Sequence, residues 1–155
     1  MKFYTLILIF FLSFKTYSQN PEFGIFWAAK FQILEMDTVK KTMKSGMGWT
    51  LIQTGSTAFK FTKEEVTIYE GGVLADNYKK ITHLKVLKRY LEFDTLNNFA
   101  NYTYETMLTA THPMRIFAQI KNEEDYGIAN ITVYDDYRNN MYNSITIYQC
   151  GRVVD

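Results

Sequence analysis

The sequence predicts an all-β protein: an antiparallel, up-and-down meander of about eight to ten short strands that closes, or nearly closes, into a barrel. Three observations carry this reading. A five-residue pattern recurs as Val66-Thr67-Ile68-Tyr69-Glu70, Ile131-Thr132-Val133-Tyr134-Asp135 and Ile145-Thr146-Ile147-Tyr148-Gln149. Each copy alternates β-branched apolar residues with Thr or Tyr, the composition of a pleated strand with one face toward a core. Aromatic residues reach 17%, with 12 Tyr and 12 Phe, and these residue types favour strands. Turn signals recur at short intervals, and no Rossmann-type glycine fingerprint or βαβ spacing appears. The alternatives are a two-layer sandwich, or an α+β fold with a helix near 76–92.

The chain divides into a leader, 1–18, and a single β-rich domain, 19–155. Lys2 precedes a nearly unbroken apolar run from Phe3 to Phe14, and Lys15-Thr16-Tyr17-Ser18 then turns polar. Small residues at Thr16 and Ser18 stand where a signal peptidase reads, so cleavage after Ser18 and a secreted or periplasmic destination are expected. The run is shorter than the ~20 apolar residues of a spanning helix, and no later segment is long and apolar enough to span a bilayer.

The domain reads in order as follows. From Gly24 to Met36 the apolar and aromatic positions suit a strand, although Trp27, Phe31 and Leu34 also fit a helix face. Asp37 to Ser45 suits a short helix capped by Asp37, or a basic hairpin arm. Trp49 to Gln53 is a strand, and Thr54-Gly55-Ser56 a turn. Phe59-Lys60-Phe61 opens a hairpin turned by Lys63-Glu64-Glu65, returned by the first copy of the pattern and closed by Gly71-Gly72. Residues 76–93 fit two strands, about 77–86 and 89–95. They also fit a helix with Tyr78, Ile81, Leu84, Leu87 and Leu91 inward, but Lys80 and His83 fall within that face.

Asp94 to Ala100 is a loop or one helical turn. Tyr102 to Thr109 is a strand, His112-Pro113 a turn, and Met114 to Lys121 the returning strand. Residues 122–127 form a solvated turn before the second copy, and Arg138-Asn139-Asn140 is turn chemistry. The second and third copies start 14 residues apart, the spacing of antiparallel hairpin partners. In architecture, the size, strand count and absence of disulfides resemble the lipocalin and fatty-acid-binding type of barrel. Gly24-Ile25-Phe26-Trp27 is a loose echo of their glycine–aromatic motifs, and no family is assigned on it.

Charge and cysteine content narrow the function classes. The 17 basic and 16 acidic side chains give +1, and loss of Lys2 and Lys15 with the leader takes this to −1. General nucleic-acid binding needs a large basic excess, so no nucleic-acid partner is expected. Cys150 is the single cysteine, which rules out an intramolecular disulfide and favours bacterial export. Cys150 itself reads as a small buried hydrophobe, with a nucleophilic or dimer-forming thiol as the alternative.

No catalytic constellation, metal set or cofactor motif is identifiable. His83 and His112 have no second ligand at metal-binding spacing and read as surface residues. Glu123-Glu124-Asp125 and Asp135-Asp136 are expected at opposite ends of one strand, too far apart to share a cation. The basic run Lys79, Lys80, Lys85, Lys88 and Arg89 suits an anionic group, or a charged edge that discourages strand aggregation. Trp27 and Trp49 are assigned to the core.

The Thr/Tyr faces are the candidate ligand-binding residues: Thr67 and Tyr69, Thr132 and Tyr134, Thr146 and Tyr148. A Tyr ring with its hydroxyl suits amphipathic ligands or a protein partner. The bland alternative is that such Tyr and Thr pairs only stabilise an exposed sheet face. The expected function is an exported, non-catalytic binding module for a small amphipathic or hydrophobic ligand. The alternative is a protein-interaction role, as an inhibitor or envelope-complex subunit using the Tyr/Thr-rich face.

Overall fold

Ten strands form among the described residues, and eight of them close on themselves. The computed structural model describes residues 24–37, 42–46, 48–53, 55–71, 78–123, 126–136 and 144–153. The strands are β1 (Ile25–Asp37), β2 (Thr42–Ser45), β3 (Thr50–Leu51), β4 (Thr57–Phe61), β5 (Glu65–Glu70), β6 (Lys80–Asp94), β7 (Phe99–Thr109), β8 (His112–Glu123), β9 (Tyr126–Asp135) and β10 (Ser144–Val153). Every pairing is antiparallel, and each strand from β4 to β10 pairs with its sequence neighbour. β1 joins β4 on one edge and β10 on the other, so the meander is a closed barrel of eight strands. β2 and β3 lie outside this circuit, each paired to β1. Closure gives every barrel strand two neighbours, although among the described residues β6 is paired on the β7 side alone from Leu87 onward.

The inward rows fill the barrel. Phe26 and Ala28 of β1, Phe59 and Phe61 of β4, and Val66 and Ile68 of β5 join one core cluster. Ala100, Tyr102 and Tyr104 of β7 meet it across the interior, with Ile116, Ala118 and Ile120 of β8. An eight-stranded barrel is just wide enough for its own side chains to fill. Phe61 therefore packs against Phe26 at 5.6 Å and against Tyr104 at 5.2 Å between ring centroids. Small residues opposite large ones make this possible: Ala28, Cys150 and Ala129 stand side by side on β1, β10 and β9.

Several expectations are corrected by the structure. The described part of the 76–93 stretch is neither a helix nor two strands, and Asp76 and Asn77 lie outside the described residues. β6 runs as one strand from Lys80 to Asp94, with a register shift between Val86 and Lys88 that leaves Leu87 as a bulge. A bulge absorbs the change of phase that suggested a break. The described residues contain no helix, which removes the α+β alternative and leaves none long and apolar enough to cross a membrane. The β1–β10 ladder removes the sandwich. The turn assigned to His112-Pro113 falls at Ala110-Thr111, and β8 already begins at His112. The strand assigned to Trp49–Gln53 shortens to Thr50–Leu51.

Asp94 organises the β6–β7 turn. Its carboxylate accepts from the backbone N–H groups of Leu96 and Asn97, each at 3.1 Å. Asn98 then takes a left-handed φ of 57°, which Asn tolerates. The tryptophans are not core residues. Phe26 and Ala28 face inward, so Trp27 between them faces out, and Trp49 is 44% exposed with the Lys30 ammonium 5.0 Å from its ring centroid. The hairpin-arm reading of 37–45 holds for Thr42–Ser45, which pairs with β1. The leader 1–18, Thr54, Gly72 and the turn at 138–140 lie outside the described residues.

Candidate functional site

A cavity of about 550 Å³ opens at the end of the barrel where β1, β4, β5 and β10 converge. Its walls follow from strand alternation. After a bulge at Ala29, β1 sends Phe31 and Ile33 inward. β10 contributes Thr146 and Tyr148, and β4 and β5 contribute Thr57 and Glu70. The end of β3 and the residues after it line the cavity with Leu51, Ile52 and Gln53. They are pinned there by the Ile52 N–H, which donates to the Ala29 carbonyl at 2.8 Å. The bulge thus turns β1 and presents a carbonyl to hold the rim.

Tyr148 of the lining is backed by the core residue Phe59. Their rings meet edge-on at 4.9 Å, and Tyr148 lies 6.2 Å from Phe31. Burial pushes the Tyr148 phenol up to about 12, and the nearby Glu70 charge adds to the shift. At neutral pH the hydroxyl is therefore a neutral donor and acceptor. Glu70 is partnered at the rim by Lys80, with 2.9 Å between nitrogen and oxygen. The cavity has an apolar wall of Phe31, Ile33 and Ile52, and a polar side of Thr57, Glu70, Thr146 and Tyr148.

The six predicted residues divide between the two sides of the barrel wall. In the first two copies Val66 and Ile68, and Ile131 and Val133, point into the core. Thr67 and Tyr69, and Thr132 and Tyr134, therefore face outward. The third copy is reversed. Tyr148 pairs with Ile131 and Thr146 with Val133, so the Thr/Tyr row faces inward and Ile145 and Ile147 face out. The second and third copies are hairpin partners, as their spacing suggests, but their registers differ by one residue, and one residue exchanges the faces. Only Thr146 and Tyr148 reach the cavity. On the outside, Tyr69 packs against Tyr78 at 4.9 Å.

Glu70, Phe31, Ile33 and Ile52 were not among the predicted residues. Period-two alternation from Val66 and Ile68 does place Glu70 on the inward row, and an acid on such a row is the signal that sequence reading passed over. Ile52 carries no such signal, because the residues after β3 are positioned by backbone contacts, such as the Ile52 N–H bond to the Ala29 carbonyl, and not by a side-chain pattern.

The remaining polar groups do not converge on the cavity. The Glu65 carboxylate accepts from the Thr67 hydroxyl at 2.7 Å and lies 2.9 Å from His83 Nδ1, on the outer surface. His112 Nε2 lies 2.6 Å from Asp135 Oδ1. Each histidine thus has one carboxylate, and no group of three metal-capable side chains occurs among the described residues. Cys150 is buried and burial pushes its thiol up, which keeps it protonated at neutral pH. Glu123 and Asp135 stand at opposite ends of the β8–β9 ladder. The basic run splits: Lys80 pairs with Glu70, Lys85 stands opposite Glu65, and Arg89 stands opposite Tyr104.

His83, and then the Thr67 hydroxyl, hold Glu65 below the ordinary carboxylate range. A lowered folded-state value contributes stability above the unfolded pKa, and that stability is lost as pH falls through the folded value. Both side chains are well exposed, so the contribution is about 0.5 kcal/mol or less. Substituting His83→Ala is expected to move the Glu65 titration, followed by NMR, upward toward the usual value. An unmoved titration would show that the pair does not form in solution.

No protein-family model, curated protein or solved structure matches the chain.

Proposed function

We propose that the chain is an exported, non-catalytic binding module that holds a small amphipathic or hydrophobic ligand in the cavity at the end of the barrel. The cavity carries the reading. Its volume of about 550 Å³ is that of a small-molecule site, and it joins an apolar wall to a few convergent polar groups. The ligand's apolar body lies against Phe31, Ile33 and Ile52. Its polar end meets the Tyr148 hydroxyl, Thr146 and Glu70, of which Glu70 favours a group that donates hydrogen bonds. Export rests on the apolar leader from Phe3 to Phe14.

Native mass spectrometry of the protein recovered from its own host tests both halves. A bound mass lost on denaturation is expected, with the bare chain beginning after Ser18. Substituting Thr146→Trp fills the cavity and is expected to abolish binding, of the native ligand and of an environment-sensitive apolar fluorophore alike. Bare protein in every preparation, with fluorophore binding absent or unchanged by the substitution, would overturn the cavity reading.

A further inference from the structure

We infer that the protein pairs with a second copy of itself through the outer edge of β6, in one defined register. β6 is longer than the strand beside it. The β5–β6 ladder ends at Glu65 opposite Lys85, and the last backbone bond on that side runs from the Val86 N–H to the Glu64 carbonyl at 2.8 Å. β7 continues to pair with β6 as far as Asp94. From Leu87 to Asp94, β6 therefore has β7 on one edge and no described strand on the other.

The side chains along this edge are unusual for an unprotected one. Leu87 is 56% exposed, Tyr90 47%, Leu91 44% and Phe93 52%. An exposed, apolar strand edge is a template for another strand. Lys88 and Arg89 would oppose pairing if every copy met like charge. The order of residues answers this. When β6 meets its own copy antiparallel about a twofold axis through Tyr90, Lys88 lies opposite Glu92 and Arg89 opposite Leu91. Leu87 then lies opposite Phe93, and the two Tyr90 rings meet at the axis.

This register places opposite charges across both Lys88–Glu92 positions and apolar side chains across the Leu87–Phe93 positions, the pairs that stabilise antiparallel strands. A shift by one residue sets Arg89 opposite Glu92 and Tyr90 opposite Leu91, but it leaves Lys88 opposite Phe93 and Leu87 opposite Asp94. The register centred on Tyr90 thus leaves Arg89 and Leu91 as its one mismatched pair, against two in the shifted register, and the order of residues favours it. The contact is isologous, so it ends at two copies.

The test uses the protein as its host yields it, with charge reversal read by sedimentation across a concentration series. The unaltered protein is expected to dimerise. Lys88→Glu and Glu92→Lys singly put like charges at two symmetric positions, and each is expected to weaken the dimer roughly ten-fold or more. The double variant exchanges the charges and is expected to restore it. Amide exchange at Arg89–Phe93 should slow as protein concentration rises. A monomer at every concentration overturns the inference. So does a dimer indifferent to the single variants, which would use another surface, and so does a double variant that fails to recover.

Discussion

Substituting Phe59→Ala is expected to cost about 3–5 kcal/mol, the range for removing a fully buried aromatic ring. Phe59 is 0% exposed, stands opposite Phe26 across the β1–β4 ladder, and meets Tyr148 of the cavity wall edge-on at 4.9 Å. An eight-stranded barrel cannot contract around a lost ring, because its circumference is set by the hydrogen-bonded strands. The cavity term therefore adds in full to the lost transfer energy. Urea unfolding should show a lower midpoint with an unchanged slope, and melting should fall by roughly 10 °C. Leu96→Ala, at a side chain 95% exposed in the β6–β7 turn, should change stability by no more than about 0.5 kcal/mol. Equal losses in the two variants, or a Phe59→Ala loss under about 1 kcal/mol, would contradict a packed interior.

The second large effect separates the two sides of the barrel wall. Tyr148→Ala is expected to cost about 3 kcal/mol, because the ring joins Phe31 and Phe59 beneath the cavity. Tyr69→Ala removes an outward ring whose described aromatic contact is Tyr78, and is expected to cost about 1 kcal/mol. The two tyrosines occupy the same place in the same five-residue pattern, so residue type predicts equal costs and register predicts unequal ones. Tyr148→Phe keeps the ring, and its effect on ligand binding isolates the hydroxyl. Comparable losses for Tyr148→Ala and Tyr69→Ala in equilibrium unfolding would mean that the third copy does not present its Tyr inward.

Much of the ladder was legible because strands announce themselves locally. Alternation at 66–70, 131–135 and 145–149 marked β5, β9 and β10, and the spacing of the last two marked them as hairpin partners. Residues 76–93 were harder. A bulge at Leu87 interrupts period two, and interrupted alternation resembles both a helical stripe and a pair of short strands. The tryptophans misled for a related reason: size argues for burial, but Trp27 sits between two inward residues and has no choice of face.

The sequence by itself determined an antiparallel β chain built from neighbouring strands, with one cysteine suited to burial. These are properties of residue type and of spacing over a few positions. Tertiary structure alone decided that the meander closes through β1 and β10, and that Thr146 and Tyr148 face the cavity while Thr67, Tyr69, Thr132 and Tyr134 face out. The physical reason is that the face of a strand depends on its register against its neighbours. A one-residue offset, or a single bulge such as that at Ala29 or Leu87, reverses it without changing the composition at all.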